Sequence, residues 1–165
     1  MSARRLLVVH HSPTRSSQAL TDAVLDGTRD DAVLGVEVVV RPALEATAED
    51  VLAAAGYLLG TTANFGYMSG ALKHFFDSTF LQVGGALSGT GAADDTAGGT
   101  SGRPFGLYVH GRYDTAGAVR SVLSIVGALQ WRQVALPLEV LGDVDDAVLA
   151  DGYELGGTLA ATLTL

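Results

Sequence analysis

Cysteine is absent from the chain. Its absence excludes a disulfide framework, a thiolate nucleophile and any cysteine-based zinc or iron–sulfur site, so redox chemistry would have to come from a bound cofactor. Lysine occurs once, at Lys73, and 10 basic residues stand against 18 acidic ones, for a formal charge of −8. With a pI near 4.7, no nucleic acid and no anionic membrane is expected as the main partner, because both call for clustered Lys and Arg. Long apolar runs are missing too. None approaches the roughly 20 residues of a membrane span. The stretch after Arg4 and Arg5 is about four residues, shorter than the ~7 to 15 of a signal-peptide core. A cytoplasmic protein is expected.

What is present is a globular composition, 48% hydrophobic and 17% charged over 165 residues. That length gives one domain, residues 1–165, with a core of its own. The acids are unevenly spread. None lies between Met1 and Thr21, between Val51 and Phe76, or between Thr96 and Tyr113. In so acidic a chain, three such windows suggest a surface kept clear for an anion.

Apolar runs too short for helices predict strands at "RLLVVHHS", "GVEVVVRP", "GYLLGT", "FGLYVHG" and "RQVALPLEVLG". Between them, Leu20, Ala23, Val24 and Gly27 fall on one helical face, as do Leu72, Phe75, Phe76 and Thr79, and Val119, Val122, Leu123 and Val126. Thr47 is expected to cap a short helix and Thr115 a longer one. A last helix is expected from about Val144, weakened by Gly152, Gly156 and Gly157. The stretch 83–103 is rich in Gly, Ala, Ser and Thr and reads as a mobile loop or lid. Five strands alternating with helices predict an α/β fold, a parallel sheet covered on both faces. Ligands of such sheets sit outside the carboxyl ends of the strands, where the acid-free windows fall.

Three loops could carry chemistry. In "HSPTRSSQ", the start of the first helix leaves backbone N–H groups unpaired and carries partial positive charge. Ser12, Thr14, Ser16 and Ser17 add hydroxyls and Arg15 a cation, which suits a phosphomonoester; alternatively Ser16 or Ser17 merely caps the helix. It lacks the glycines of a dinucleotide fingerprint and the GK[ST] of a P-loop. In "TTANFGYM", residues 61–68, Asn64, Phe65, Tyr67 and the backbone around Gly66 could pad a flat heteroaromatic ring, or Phe65, Tyr67 and Met68 could tuck into the core. In "HGRYDTAG", Gly111 allows close backbone approach and Tyr113 offers a ring face; Arg112 and Asp114 could simply pair with each other. His10, His11 and His110 fall at strand ends, but on different loops and with no carboxylate cluster, so no metal site is expected.

Together these loops resemble the flavodoxin-like FMN proteins, in particular the NAD(P)H-dependent FMN reductase and WrbA-like quinone oxidoreductase group. "SPTRSS" resembles the phosphate loop T/S-x-T-G-x-T/S, with Ser12, Thr14 and Ser17 at the hydroxyl positions and Arg15 in place of glycine, as in the reductase branch. "GTTANFGYMSGALKHFFD" is similar to the WrbA-like G-T-P-T-R-F-G-N-M-S that runs into a helix ending F-x-D. It departs at Thr62, Ala63, Asn64 and Tyr67. The resemblance implies a three-layer sandwich with a five-stranded sheet of order 2-1-3-4-5. It implies FMN held by Ser12, Thr14, Arg15, Ser16 and Ser17 at the phosphate, by Thr61, Thr62, Ala63, Asn64, Phe65, Gly66 and Tyr67 along the ring, and by His110, Gly111, Arg112 and Tyr113 on the other side. It also implies assembly as a homodimer or homotetramer.

The expected function is therefore an FMN-dependent oxidoreductase that passes electrons from NADH or NADPH to a quinone, flavin or similar small-molecule acceptor. No protein acid or base is required, so no general catalyst is named. The alternative is a flavodoxin-type electron carrier that docks to a redox partner protein, which the negative charge favours. A third class is a binding module of the same fold that has lost the cofactor.

Overall fold

A computed structural model describes residues 2–87, 90, 93–94 and 99–164. The elements are β1 (Arg4–His10), α1 (Arg15–Thr28), β2 (Val36–Pro42), α2 (Ala48–Ala53), β3 (Gly56–Asn64), β4 (Tyr67–Met68), α3 (Gly70–Thr79), β5 (Ala86–Leu87), β6 (Ala93–Asp94), β7 (Pro104–Gly111), α4 (Ala116–Ala128), β8 (Arg132–Gln133), β9 (Leu138–Leu141) and α5 (Asp146–Thr162). The centre of the glycine-rich stretch, at 88–89, 91–92 and 95–98, lies outside the described residues, and so does the lid expected of it. Flanking it, β5 and β6 pair antiparallel.

The main sheet runs β2-β1-β3-β7-β8, with β9 also parallel to β7, so the order is the expected 2-1-3-4-5 with the fifth position shared. One continuous fifth strand had been expected over 132–142. Pro137 has no N–H to give to the ladder, and the pairing lapses between Gln133 and Leu138. Alternate residues of β1 face opposite layers. Leu6 and Val8 join Leu20 and Val24 of α1 and Leu155 and Leu159 of α5, while Leu7 and Val9 join Val51, Leu72, Phe75, Phe76, Val122 and Val126 of α2, α3 and α4. All four β1 side chains are fully buried, which is worth roughly 1.5–3 kcal/mol each.

The expected weakness of the last helix is corrected by its packing. A Cβ on Gly156 would stand 1.9 Å from the Val24 carbonyl oxygen, and one on Gly27 1.9 Å from that of Tyr153. These glycines let the backbones of α1 and α5 meet, and the resulting contact outweighs their cost in helix propensity. Thr47 caps α2 in a reciprocal capping box with Asp50. Thr115 does not cap α4 with its side chain, as had been expected. Its hydroxyl donates to Glu139 Oε1 at 3.1 Å, and Asp114 Oδ1 accepts from the Ala116 N–H instead.

Candidate functional site

The carboxyl ends of β1, β3 and β7 lie side by side, with His10 opposite Gly60 and Thr62 opposite His110, so their three following loops meet at one edge. After β1, Thr14 caps α1 in a capping box with Ser17. Thr14 Oγ1 accepts from the Ser17 N–H at 3.2 Å, and the Thr14 N–H donates to Ser17 Oγ at 3.0 Å. The N–H groups of Arg15 and Ser16 keep no partner among the described residues, and no acid stands in the first turn. About half a positive charge is thus presented to solvent beside the Arg15 side chain.

The second loop is a tight hairpin. β3 runs on past the expected end to Asn64, turns through Phe65 (φ 51°) and Gly66 (φ 76°), and returns as β4, with Ala63 opposite Met68 and Asn64 opposite Tyr67. Two successive positive-φ residues suit a two-residue hairpin, but a phenylalanine there is strained by about 1–3 kcal/mol. The turn holds the Phe65 ring out, 95% exposed, while Met68 is buried. The alternative of a core staple holds for Met68 and fails for Phe65 and Tyr67, both exposed. The tip sits on α4: a Cβ on Gly117 would come within 2.0 Å of the Gly66 carbonyl oxygen.

The third loop is tied down by a segment that the sequence did not single out. The Gly142 N–H donates to the Gly111 carbonyl at 2.7 Å, and His110 Nε2 donates to the Gly142 carbonyl at 2.7 Å. Arg112 pairs with Asp143 at 3.0 Å rather than with Asp114, an exposed pair worth at most about 1 kcal/mol. Tyr113 is left 71% exposed. Gly142 and Asp143 lie past the fifth strand, and no pattern in that stretch marks them beyond the lone glycine of "LGD".

A cleft of about 640 Å³ joins the three loops and is lined by Thr14, Arg15, Ser16, Thr62, Ala63, Asn64, Phe65, His110, Gly111, Arg112 and Tyr113. That volume is in the range of small-ligand sites. No carboxylate lines it, although the chain carries −8. Thr62 Oγ1 in its wall is buried without a hydrogen-bond partner. The other expected residues lie elsewhere. Ser17 is buried in the capping box; Thr61 Oγ1 is buried, accepting from the Ser69 N–H at 3.0 Å, so it fixes the start of α3. Gly66 and Tyr67 build the hairpin outside the cleft lining. Ser12 is outside the lining but half-buried in the turn beside it, with Oγ 2.8 Å from His10 Nδ1 and 2.7 Å from Thr21 Oγ1. The polar Thr21, next to Leu20 on the buried stripe of α1, is the one sequence sign of that inward network. Trp131 stacks on Tyr57 with ring centroids 3.9 Å apart, beyond the end of α4 and outside the cleft lining.

No protein-family profile matches the chain. A curated flavodoxin from Aquifex aeolicus is 33% identical over 85 residues, which is 52% of this chain and 45% of that protein, so the match takes in just under half of the relative's length. Among solved structures, a flavodoxin from the domain Archaea superposes with a TM-score of 0.77 at 15% identity, covering 98% of this chain and 99% of the other. A WrbA-like flavodoxin from Agrobacterium tumefaciens gives 0.72 at 14% identity, covering 99% and 98%. The flavodiiron protein from Giardia intestinalis gives 0.77 at 12% identity over 99% of this chain but 37% of its own. The chain has the flavodoxin-like fold, and its cleft lies at the β1/β3 edge where that architecture reverses strand order. No helix among the described residues is long and apolar enough to cross a membrane.

Proposed function

We propose that this chain binds FMN in the cleft and works as an electron-transfer protein. One observation carries the reading. In a strongly acidic chain, the cleft without carboxylates combines the unpaired N–H groups of Arg15 and Ser16 and the Arg15 side chain at one end with two exposed aromatic rings, Phe65 and Tyr113, at the other. The first end suits a phosphate, the second a flat ring. The orphaned Thr62 hydroxyl between them is a polar group waiting for a partner, and a ligand with ring and ribityl hydrogen-bonding groups supplies one. Thr14, Arg15 and Ser16 would hold the phosphate, and Thr62, Asn64 and the backbone of Ala63 and Gly111 the polar edges. Bound FMN would supply reversible one- and two-electron transfer, chemistry that the side chains of this cysteine-free chain lack.

The carrier form is the better supported. Phe65 and Tyr113 are 95% and 71% exposed, so a ring seated against them stays at the molecular surface, within reach of a docked protein. Exposed Asp114, Glu139, Asp143, Asp145 and Asp146 follow on the same edge and would favour a cationic partner. The curated relative is named a flavodoxin. The second reading, an NAD(P)H-dependent reductase acting on a quinone or free flavin, is favoured by Arg15 at the helix start and by the likeness to the WrbA-like protein. Anaerobic mixing of the FMN-loaded protein with NADH or NADPH separates the two. The carrier predicts that the flavin colour persists with pyridine nucleotide and bleaches with dithionite. Bleaching by NADH or NADPH as fast as by dithionite, followed by turnover with a quinone, would replace it with the reductase.

A further inference from the structure

A row of four hydrogen-bonded side chains, half-buried at His10 and Ser12 and buried at Thr21 and Tyr108, leads inward from the turn before α1. His10 Nδ1 lies 2.8 Å from Ser12 Oγ, Ser12 Oγ 2.7 Å from Thr21 Oγ1, and Thr21 Oγ1 2.9 Å from the Tyr108 hydroxyl. The direction of the two bonds between Tyr108 and Ser12 follows by elimination. Burial pushes the Tyr108 phenol far above its usual pKa, so it keeps its proton, and Thr21 is its partner. A buried donor left unpaired would bear its full desolvation penalty, so Tyr108 donates to Thr21. Thr21 then gives its one hydrogen to Ser12. Ser12 can then give its hydrogen to Nδ1 of a neutral His10 whose proton sits on Nε2, the tautomer that the first measurement below checks.

Protonation of His10 changes one link only. Nδ1 becomes a donor, and Ser12 Oγ accepts from both Nδ1 and Thr21 on its two lone pairs, so its own hydrogen is released. Tyr108 and Thr21 keep their bonds, and nothing buried is orphaned. Ser12 belongs to the short turn between β1 and Thr14 that also presents the unpaired N–H groups of Arg15 and Ser16. We propose that His10 is a proton-operated positioning residue of the anion site, whose protonation converts the Ser12 hydroxyl from a donor to the imidazole into a donor to bound phosphate. The proposal rests on the phosphoflavin reading and adds its regulation: binding takes up a proton.

The surroundings of His10 set the poise of the device. Burial lowers its pKa, His11, the next residue in the chain, lowers it further, and Asp22 of α1 raises it. Tyr108 of β7 faces it through the row, and its strand neighbours, Pro42 of β2 and Gly60 of β3, are uncharged. Unliganded His10 is therefore neutral at neutral pH, and an arriving phosphate raises its pKa.

Two measurements test this. Nitrogen-15 NMR of the unliganded protein at about pH 8 should show His10 with its proton on Nε2; a proton on Nδ1 overturns the assignment. Then Kd for FMN and for riboflavin is measured from about pH 8 to about pH 5.5 in the wild type and in His10→Asn, whose Oδ1 is an acceptor at every pH. The phosphate's own titration cancels in the ratio of the two proteins. The ratio of His10→Asn to wild-type Kd should rise roughly 5-fold or more on acidification for FMN and stay flat for riboflavin. A flat ratio for FMN overturns the proposal. Should His10→Asn fail to fold, Ser12→Ala gives the same comparison. If neither FMN nor riboflavin binds at any pH, the phosphoflavin reading itself falls and takes this one with it; FMN binding with a flat ratio removes only the role of His10.

Discussion

At the residue scale, two side chains in the cleft are poorly matched to the unliganded fold. Thr62 buries a hydroxyl without a partner, a desolvation cost of about 1–3 kcal/mol. Thr62→Val removes the oxygen at nearly the same volume, so it should raise the urea midpoint of the unliganded protein while weakening FMN. A lower midpoint would show that the hydroxyl has a partner in solution. Phe65 sits at positive φ, where asparagine is better tolerated. Phe65→Asn should stabilise the unliganded protein by about 1 kcal/mol and lose flavin affinity, measured by denaturation and by fluorescence titration. The sequence showed Phe65 as a candidate for ring contact, because an aromatic in a turn after a buried strand is out of place there, while Thr62 was implied by the resemblance alone. It could not show which way each would point. Ser12, Ser17 and Thr61 have the same composition signal as Thr14 and Ser16, yet their hydroxyls turn inward to cap helices or to join the row that leads inward from the turn before α1. Ser12 is held by His10 and Thr21, and Thr21 in turn by Tyr108, 87 residues further along the chain, a partner that no local pattern shows.

At the element scale, strand order and helix faces were legible because short apolar runs and a 3.6-residue period are local signals. The hairpin was not, since β4 is two residues long and its turn lacks the usual asparagine–glycine pair. The split fifth strand was foreshadowed only by Pro137. The last helix was read as weak because glycine is a poor helix former, whereas its glycines are the surface on which α1 and α5 meet. Gly156→Ala should therefore be more harmful than propensity allows. Alanine favours a helix by about 1 kcal/mol, but its Cβ would collide with the Val24 carbonyl, and pushing α5 away should cost a net ~1–3 kcal/mol or more. A thermal midpoint equal to or above that of the wild type would contradict the packing account.

At the scale of the whole molecule, charge is the organising quantity: −8 overall, with a cleft that holds two arginines and no carboxylate. The acid-free windows made that contrast visible in the sequence, and the fold brought the windows together at one edge. Charge also sets the response to pH. His10 has a folded pKa below its ordinary 6.5, so the stability that its neutral form contributes is complete above that value and is lost as pH falls through the folded pKa. At lower pH comes Asp50, which burial raises but the hydrogen bonds from Thr47 and Arg41 lower by more, so its contribution is lost as pH falls below the usual carboxylate range. Urea denaturation across pH should show two successive losses, and His10→Asn should remove the first; an unchanged profile would contradict the assignment to His10. All of this turns on one cleft holding a phosphoflavin, its phosphate on the start of α1 and its ring against Phe65 and Tyr113. Titration of the ligand-free protein with FMN and with riboflavin, in the wild type and in Arg15→Ala, tests it most directly. FMN should bind at micromolar concentration or tighter, about −8 kcal/mol or better, riboflavin more weakly, and the loss in Arg15→Ala should fall on FMN far more than on riboflavin. No FMN binding at micromolar concentration, or equal losses for the two flavins, would contradict it.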